Sequence, residues 1–411
     1  MIRRALTNTG WLMSARGINA VLSLVYLALA TRALGLEAFG QFVVAFTFAQ
    51  IVVGFAGLQT WQAIVRWGQE ADGRNTATGF ALALDVVSIV VGALAAALIL
   101  ALAGDWLPIP QEVRPATFAF TLVSLLAIRS TPTGLLRLHD KYARAAAADA
   151  TTSIVRAAGA AVIAFVAPTI EAFLIIWGLA ELATAAMYWR LAARTEPIQW
   201  RRFSLTRLPR EQAGAWRFVI ATSLSAAVST ASRKLLVLLV GVLGGAAMAG
   251  IYRVAAQLGE GLLKLAQALL RAVYPELVRD PGKARAIAGK ISRIAVITGL
   301  AVVILSLLAG EWIILAIAGS AFLPAYLPMV LLSASAALEL AGASLEALLV
   351  ARGKAMTTLM LRGVPLVIGL ASLSWLMASF GATGAALVVL GASGVSVAGF
   401  ALATNDRHAH S

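Results

Sequence analysis

At 411 residues, 60% of them hydrophobic and 13% charged, with a mean hydropathy of +0.87, the chain is too apolar for a soluble protein of its size and reads as an all-α integral membrane protein. It has no cysteine, which excludes disulfides and thiolate chemistry, and His139, His408 and His410 lack metal-ligand spacing, so neither a metal site nor a cofactor is expected. The formal net charge of +14 falls mostly in short connectors between apolar runs, the distribution of cytoplasmic loops and not of a nucleic-acid-binding face.

About twelve runs approach the ~20 apolar residues needed to cross the hydrocarbon core. In chain order they are 10–33, 39–65, 79–103, 113–136, 142–166, 170–191, 214–242, 247–273, 287–309, 325–351, 355–380 and 383–404. Met1 to Asn8 carries Arg3 and Arg4 with no short apolar core and small-residue cleavage site after it, so no cleaved signal peptide is expected.

In the first span Thr9, Arg16 and Ser23 recur every seven residues with Asn19 and Tyr26 beside them, one polar face suited to line a cavity. The competing reading of Arg16 is snorkelling to the headgroups. The third and sixth spans carry the carboxylates Asp85 and Glu181. Near the end of the fourth, Arg129 precedes Pro132 and either snorkels, caps a carbonyl or faces the cavity. Asp149, Thr152 and Arg156 share a face of the fifth, so Arg156 either binds an anion or pairs with Asp149.

The basic stretch 192–213 separates an amino-terminal six-helix lobe, 1–191, from a carboxy-terminal one, 214–411. Thr222, Ser225, Ser229, Ser232 and Arg233 line one side of the seventh span, and Lys234 lies about 100° away. Arg253, Gln257, Glu260, Lys264, Gln267 and Arg271 form a stripe on the eighth, where Glu260 and Lys264 are spaced to neutralise each other. In the tenth, Ser335, Glu339, Gly342 and Glu346 share a face; the two acids are candidates for coupling to a proton or sodium gradient, or partners of cations in their own lobe. Trp61, Trp67, Trp106, Trp189 and Trp312 fall near span ends, as an interfacial belt would.

Basic residues fix the orientation. With both termini in the cytoplasm, the connectors on that face collect Arg66, Arg74, Arg137, Lys141, Arg144, Arg352 and Lys354, together with the basic runs around 190–217 and 271–293; the opposite face holds only Arg32 and Arg114. The halves also echo each other at an offset of about 210 residues. Residues 34–42 resemble 243–252, Leu102-Ala103-Gly104-Asp105-Trp106 recurs as Leu308-Ala309-Gly310-Glu311-Trp312, and 135–141 parallels 348–354. Halves with an even helix number share orientation, as parallel repeats do.

A cation in mid-bilayer costs about 2.5–3.5 kcal/mol, so Arg16, Arg129, Arg156, Arg233 and Arg253 should face a bundle interior or a water-filled cavity. Guanidinium groups there suit a phosphate, whose oxygens they grip bidentately. Asn19, Ser23 and Gln257 would add neutral polar contacts.

The run Asn8-Thr9-Gly10-Trp11 through Thr31-Arg32-Ala33-Leu34-Gly35 and Phe39-Gly40 resembles the start of the polysaccharide and O-antigen flippases of the multidrug/oligosaccharidyl-lipid/polysaccharide (MOP) exporter superfamily. So do 131–142, Tyr274-Pro275 and 341–354. The resemblance implies a MATE-like fold and the flipping of a lipid-linked oligosaccharide across the cytoplasmic (inner) membrane by alternating access, with membrane lipids and polysaccharide-assembly proteins as partners and no catalysis. Three alternatives stand beside it, one of them a peptidoglycan-precursor flippase, whose relatives usually carry two extra helices for which this chain has no room. A multidrug or ion antiporter of the same superfamily would carry a more acidic cavity. A membrane glycan polymerase or ligase would need a large extracytoplasmic loop, and the longest such connector here has about ten residues.

Overall fold

The computed structural model describes residues 2–277, 284–351 and 354–405, with side chains described throughout except at 2–18, 228–233, 262–277, 284–292 and a few single positions. Lipid offers no partner to a backbone N–H or C=O, so a chain this apolar satisfies them within helices. All the regular structure among the described residues is helical.

Contacts divide the chain into two compact units, Met1–Val242 and Leu243–Ser411. In the first, α1 (Ile2–Ala56), α2 (Thr60–Trp67), α3 (Ala71–Ala103), α4 (Arg114–Leu126), α5 (Ser130–Leu138), α6 (Tyr142–Val166), α7 (Ile170–Ala193) and α8 (Arg207–Glu211) precede α9 (Ala215–Gly244), which runs to the boundary. The second contains α10 (Ala246–Leu277), α11 (Ala284–Ile317), α12 (Tyr326–Ala351), α13 (Ala355–Phe380) and α14 (Ala382–Asn405).

Ten helical stretches among the described residues are long and apolar enough to cross a membrane. One of them, Asn19–Trp67, has 49 residues. At about 1.5 Å per residue that is roughly 74 Å, enough for two crossings of a ~30 Å core. Its two predicted spans meet in α1 at Gly35, where φ is 74° and ψ −178°. Lys234–Gly261 likewise runs over the junction of α9 and α10, where Gly245 has φ 83°. The predicted bounds 142–166 and 355–380 coincide with α6 and α13.

Two predicted spans are broken. The second stops at Ala56 and resumes as α2; the fourth stops at Leu126 and resumes as α5. Pro132 stands in the first turn of α5, where its missing N–H costs nothing, so it starts a helix here instead of kinking one. The resumed pieces pack closely: a Cβ on Gly134 would lie 2.9 Å from Ile64 Cδ1 and 3.0 Å from Trp61 Cα.

The basic connector is seated on the first unit. Leu208 of α8 is buried with Ala63, Phe80, Leu84, Ala215 and Val219, and a Cβ on Gly79 would lie 1.9 Å from the Arg202 carbonyl oxygen. Gly79→Ala is therefore expected to push the connector off α3 and to cost about 1–3 kcal/mol, read as a lower midpoint in denaturant unfolding of the purified protein.

In the second unit α12 packs against α10, α11 and α14, and α13 covers α14. Small polar groups mark these contacts: Ser306 Oγ donates to Ser333 Oγ at 3.0 Å, and Ser335 and Ser393 hydroxyls are 2.8 Å apart. Trp106 and Trp312 are 77% and 75% exposed, as belt residues are, but Trp61 and Trp189 turn inward. Trp189 Nε1 donates to the Ile128 carbonyl at 2.9 Å, and Arg137 stacks on the Trp61 ring at 4.0 Å. Each is held by a polar partner inside the bundle, which removes both from the predicted interfacial set.

Candidate functional site

A buried carboxyl group stays ionised in a bilayer only if cations or several donors satisfy it. The first unit contains one of each kind. Glu181 of α7, 4% exposed, is shared between two arginines. Arg156 Nη2 of α6 donates to its Oε1 at 2.7 Å, and Arg129 Nη2 donates to its Oε2. The expected alternative partner of Arg156, Asp149, instead accepts from Tyr188 Oη at 2.8 Å. The Arg156 guanidinium lies 5.3 Å from the Phe46 ring and 5.4 Å from that of Trp177, and the Thr152 and Thr184 hydroxyls meet at 2.7 Å nearby. The triad carries two positive charges against one negative, and the Asp149 carboxylate acts on Arg129 from nearby as the second negative charge.

Asp85 of α3, also 4% exposed, uses donors. The hydroxyls of Thr60 and Thr131 donate to its Oδ1 and Oδ2 at 3.0 and 2.6 Å, and the Thr131 backbone N–H adds a third bond. Thr60 opens α2 and Thr131 lies in the first turn of α5, so one carboxylate sits at the start of both resumed helices, where it also complements their dipoles. Ser130 completes the knot. Its Oγ accepts from Trp61 N at 3.1 Å and donates to the Leu58 carbonyl at 3.2 Å, while Gln59 N donates to Ser223 Oγ of α9 at 2.8 Å. The N–H groups that a helix start leaves open are thus taken up.

Between the two breaks lies a cavity of about 420 Å³. Its wall contains both breaks, 57–59 and 127–129, together with Gln50, Trp61, Asp85, Ser88, Ser124, Thr133 and Glu181. Non-helical backbone at membrane depth is tolerated where it lines such a space. Arg129, its side chain 34% exposed, is the one cation among these wall residues. The hydroxyls of Ser88 and Ser124, 8% and 6% exposed, have no hydrogen-bond partner among the described residues.

Of the cations selected from sequence, Arg129 and Arg156 are brought together. The side chains of Arg16, Arg233 and Lys264 lie outside the described residues. Lys234 Nζ donates to Gln50 Oε1 at 3.0 Å. Asn19 is half-buried on α1, where Ser23 Oγ donates to the Ala20 carbonyl of its own helix at 2.7 Å. In the second unit Arg253 and Gln257 are half-buried on α10. Glu339 is exposed and accepts from Ser393 Oγ at 3.0 Å, and Glu346 accepts from Arg362 Nη2 at 2.7 Å. Sequence reading passed over Arg362, although it falls well inside the predicted span 355–380. Glu181 appeared there only as one of several carboxylates, with no sign that it gathers two arginines.

Residues 5–279 match the family described as Polysaccharide biosynthesis protein. The chain is 30% identical over 340 residues to the Inner membrane protein YghQ of Escherichia coli (strain K12), which covers 79% of this chain and 95% of that one. Among solved structures it resembles the lipid II flippase MurJ in an inward closed conformation, with a TM-score of 0.74, 13% identity and coverage of 96% and 87% of the two chains. An outward-facing multidrug resistance MATE family transporter of the MOP superfamily gives a TM-score of 0.62, 16% identity and coverage of 97% and 94%. At such identities the two solved structures speak to the fold, which is MATE-like and all-α.

Proposed function

Because the chain belongs to the polysaccharide biosynthesis family of the MOP superfamily, we propose that it translocates a lipid-linked oligosaccharide, an O-antigen or exopolysaccharide repeat unit on a diphosphate lipid, across the cytoplasmic (inner) membrane. In this reading it is a transporter and not an enzyme, with both termini in the cytoplasm and two six-helix lobes, 1–191 and 214–411, alternating access about the basic linker 192–213.

The observation that carries the proposal is the buried Arg129–Glu181–Arg156 triad at the wall of a membrane-depth cavity. A diphosphate resists entry into hydrocarbon because its charge loses its hydration, so a translocase must replace that water with fixed cations. The triad keeps two guanidinium groups in place, and Glu181 orients both. Arg129, in the cavity wall, makes the contact; Arg156 supplies the second charge through Glu181. Arg16, Arg233 and Arg253 continue the cationic path, and Asn19, Ser23 and Gln257 offer it neutral polar groups. Glu339 and Glu346 are the candidate sites for a coupled proton or sodium ion. Polysaccharide-assembly proteins would receive the product.

Arg156→Ala and Arg16→Ala are each expected to abolish glycan export in cells at normal protein level. Arg156→Lys is expected to restore less than a tenth of it, because an ammonium loses the contact of the planar guanidinium with Phe46 and Trp177 as well as its aimed bond to Glu181. Unimpaired export by either alanine variant refutes the assignment.

A further inference from the structure

The basic connector between α7 and α9 is a second concentration of charge in the first unit, and neither the triad nor the cavity between the breaks uses it. Residues 201–211 enclose a cavity of about 370 Å³, whose wall carries Arg201, Arg202, Arg207 and Arg210 together with Phe203 and Glu211. Two of the four arginines have acids of their own. Arg202 Nη2 donates to Asp72 Oδ1 at 3.0 Å, and Arg207 Nε donates to Oε1 of Glu211, the one carboxylate in the wall, at 3.3 Å. Arg201 and Arg210 are exposed and form no ion pair among the described residues, so two positive charges stay uncompensated around one space.

These charges are held in place. A run of solvated charge is ordinarily free to move, whereas this backbone is fastened to α3: the Arg202 carbonyl lies against Gly79, Ser204 N donates to the Gly79 carbonyl at 3.4 Å, and Leu208 is buried. Ser204 Oγ accepts from the N–H groups of Thr206 and Arg207 at 3.3 and 3.2 Å, so the start of α8 is satisfied from within and adds nothing to the attraction of an anion. That attraction comes from guanidinium groups, which grip phosphate oxygens bidentately.

The neighbours of the cavity decide between a lipid and a soluble anion. Phe203 is exposed in the wall itself. Just beyond it α9 opens with Trp216, Ile220 and Leu224, spaced four apart and all exposed, while Val219, Ser223 and Ala227 on its other side are buried. In a chain this apolar such an outward stripe meets acyl chains, and Trp216 with the exposed Arg217 at its foot marks the level of the headgroups. A soluble phosphate gains nothing from an exposed phenyl ring and indole. A phospholipid covers them with its chains while its phosphate reaches the arginines.

We propose that the connector is a binding site for an anionic phospholipid, in which Arg201 and Arg210 grip the headgroup phosphate, Arg207 stays with Glu211 at the edge, and Phe203 and the α9 stripe lie along the acyl chains. Phosphate headgroups line both surfaces of a bilayer, so the site requires neither the orientation nor the cargo proposed above. It fastens the connector, and with it the end of α3, to acidic lipid.

Because the chain has no cysteine, Thr206→Cys places a single thiol at an exposed position of the wall, where it takes a bimane fluorophore. The labelled full chain is reconstituted in phosphatidylcholine nanodiscs containing a small fraction of either phosphatidylglycerol or phosphatidylcholine that carries a nitroxide high on its acyl chain. At equal mole fraction the phosphatidylglycerol is expected to quench about fivefold more strongly. Arg201→Gln with Arg210→Gln should bring that ratio to about one, whereas Arg190→Gln with Arg194→Gln, at two exposed arginines outside the cavity wall, should leave it within about twofold of its starting value. Equal quenching by the two lipids before any arginine is replaced overturns the site. A ratio that survives the first pair of replacements, or falls equally with both pairs, overturns it in favour of diffuse surface charge. Millimolar inorganic phosphate is expected to leave the preference in place; its loss there would assign the cavity to soluble anions and refute the lipid.

Discussion

Glu181→Leu is expected to destabilise the protein by about 3–5 kcal/mol, the largest loss from any single side chain described above, because it takes from Arg129 and Arg156 the carboxylate that both bond and leaves Asp149 as the nearby counter-charge of Arg129. Arg156→Met is expected to cost clearly less, since Glu181 keeps Arg129. The double replacement Glu181→Leu with Arg156→Met removes one charge of each sign and should recover part of the first loss, giving a coupling of more than 1 kcal/mol in a double-mutant cycle. Denaturant unfolding of the protein in detergent, followed by tryptophan fluorescence, measures all three. Additive losses would show that the triad is not an energetic unit. The same cycle run on glycan export should show no recovery, because the double variant keeps the net charge of the triad but lacks Arg156 and the carboxylate that orients Arg129.

The second large effect is expected at Asp85. Asp85→Ala removes the acceptor shared by Thr60 and Thr131 and strips the starts of α2 and α5 at once. A lost cap costs about 0.5–2 kcal/mol, and two are lost here, so the expected destabilisation is about 1–4 kcal/mol. Asp85→Asn keeps the volume and one acceptor oxygen, and is expected to lose about half as much. Unfolding midpoints decide this as well, and a loss for Asp85→Ala below about 0.5 kcal/mol would mean that the breaks are held by Ser130 and packing alone. Near-normal stability of Asp85→Asn together with lost export would point instead to a role for the charge in transport.

Much of the fold was legible because lipid imposes one rule on every segment: an apolar run of sufficient length becomes a helix. That is why 142–166 and 355–380 match α6 and α13 to the residue. The breaks were written in the chain too, as Gly57-Leu58-Gln59-Thr60 and as Ser130-Thr131-Pro132, but hydropathy averaged over ~19 residues erases an interruption of three. The site was harder to see. Helical periodicity ranks neighbours on one helix, so it offered Asp149 to Arg156, whereas the actual acceptor is Glu181, 25 residues on in the next helix. For Arg129 the separation is 52 residues. Trp61 and Trp189 were misplaced for the same reason: nearness to a span end says nothing about which way a ring faces, and a carbonyl exposed by a broken helix at Ile128 gave the Trp189 indole an inward partner.

The joining of α2 to α5 bears on movement. Each is cut from the rest of its span by a few residues of irregular backbone, yet the two are fastened to each other through Ser130 and Asp85 at one end and by the close contact at Gly134 along the side. Two short rods pinned together in this way are one body, so any displacement of either would carry the other and fall on the irregular segments 57–59 and 127–129. Arg129 belongs to one of those segments. Its guanidinium is therefore coupled to the placing of both short helices, and re-aiming it would require giving up the bond to Glu181 but no turn of helix.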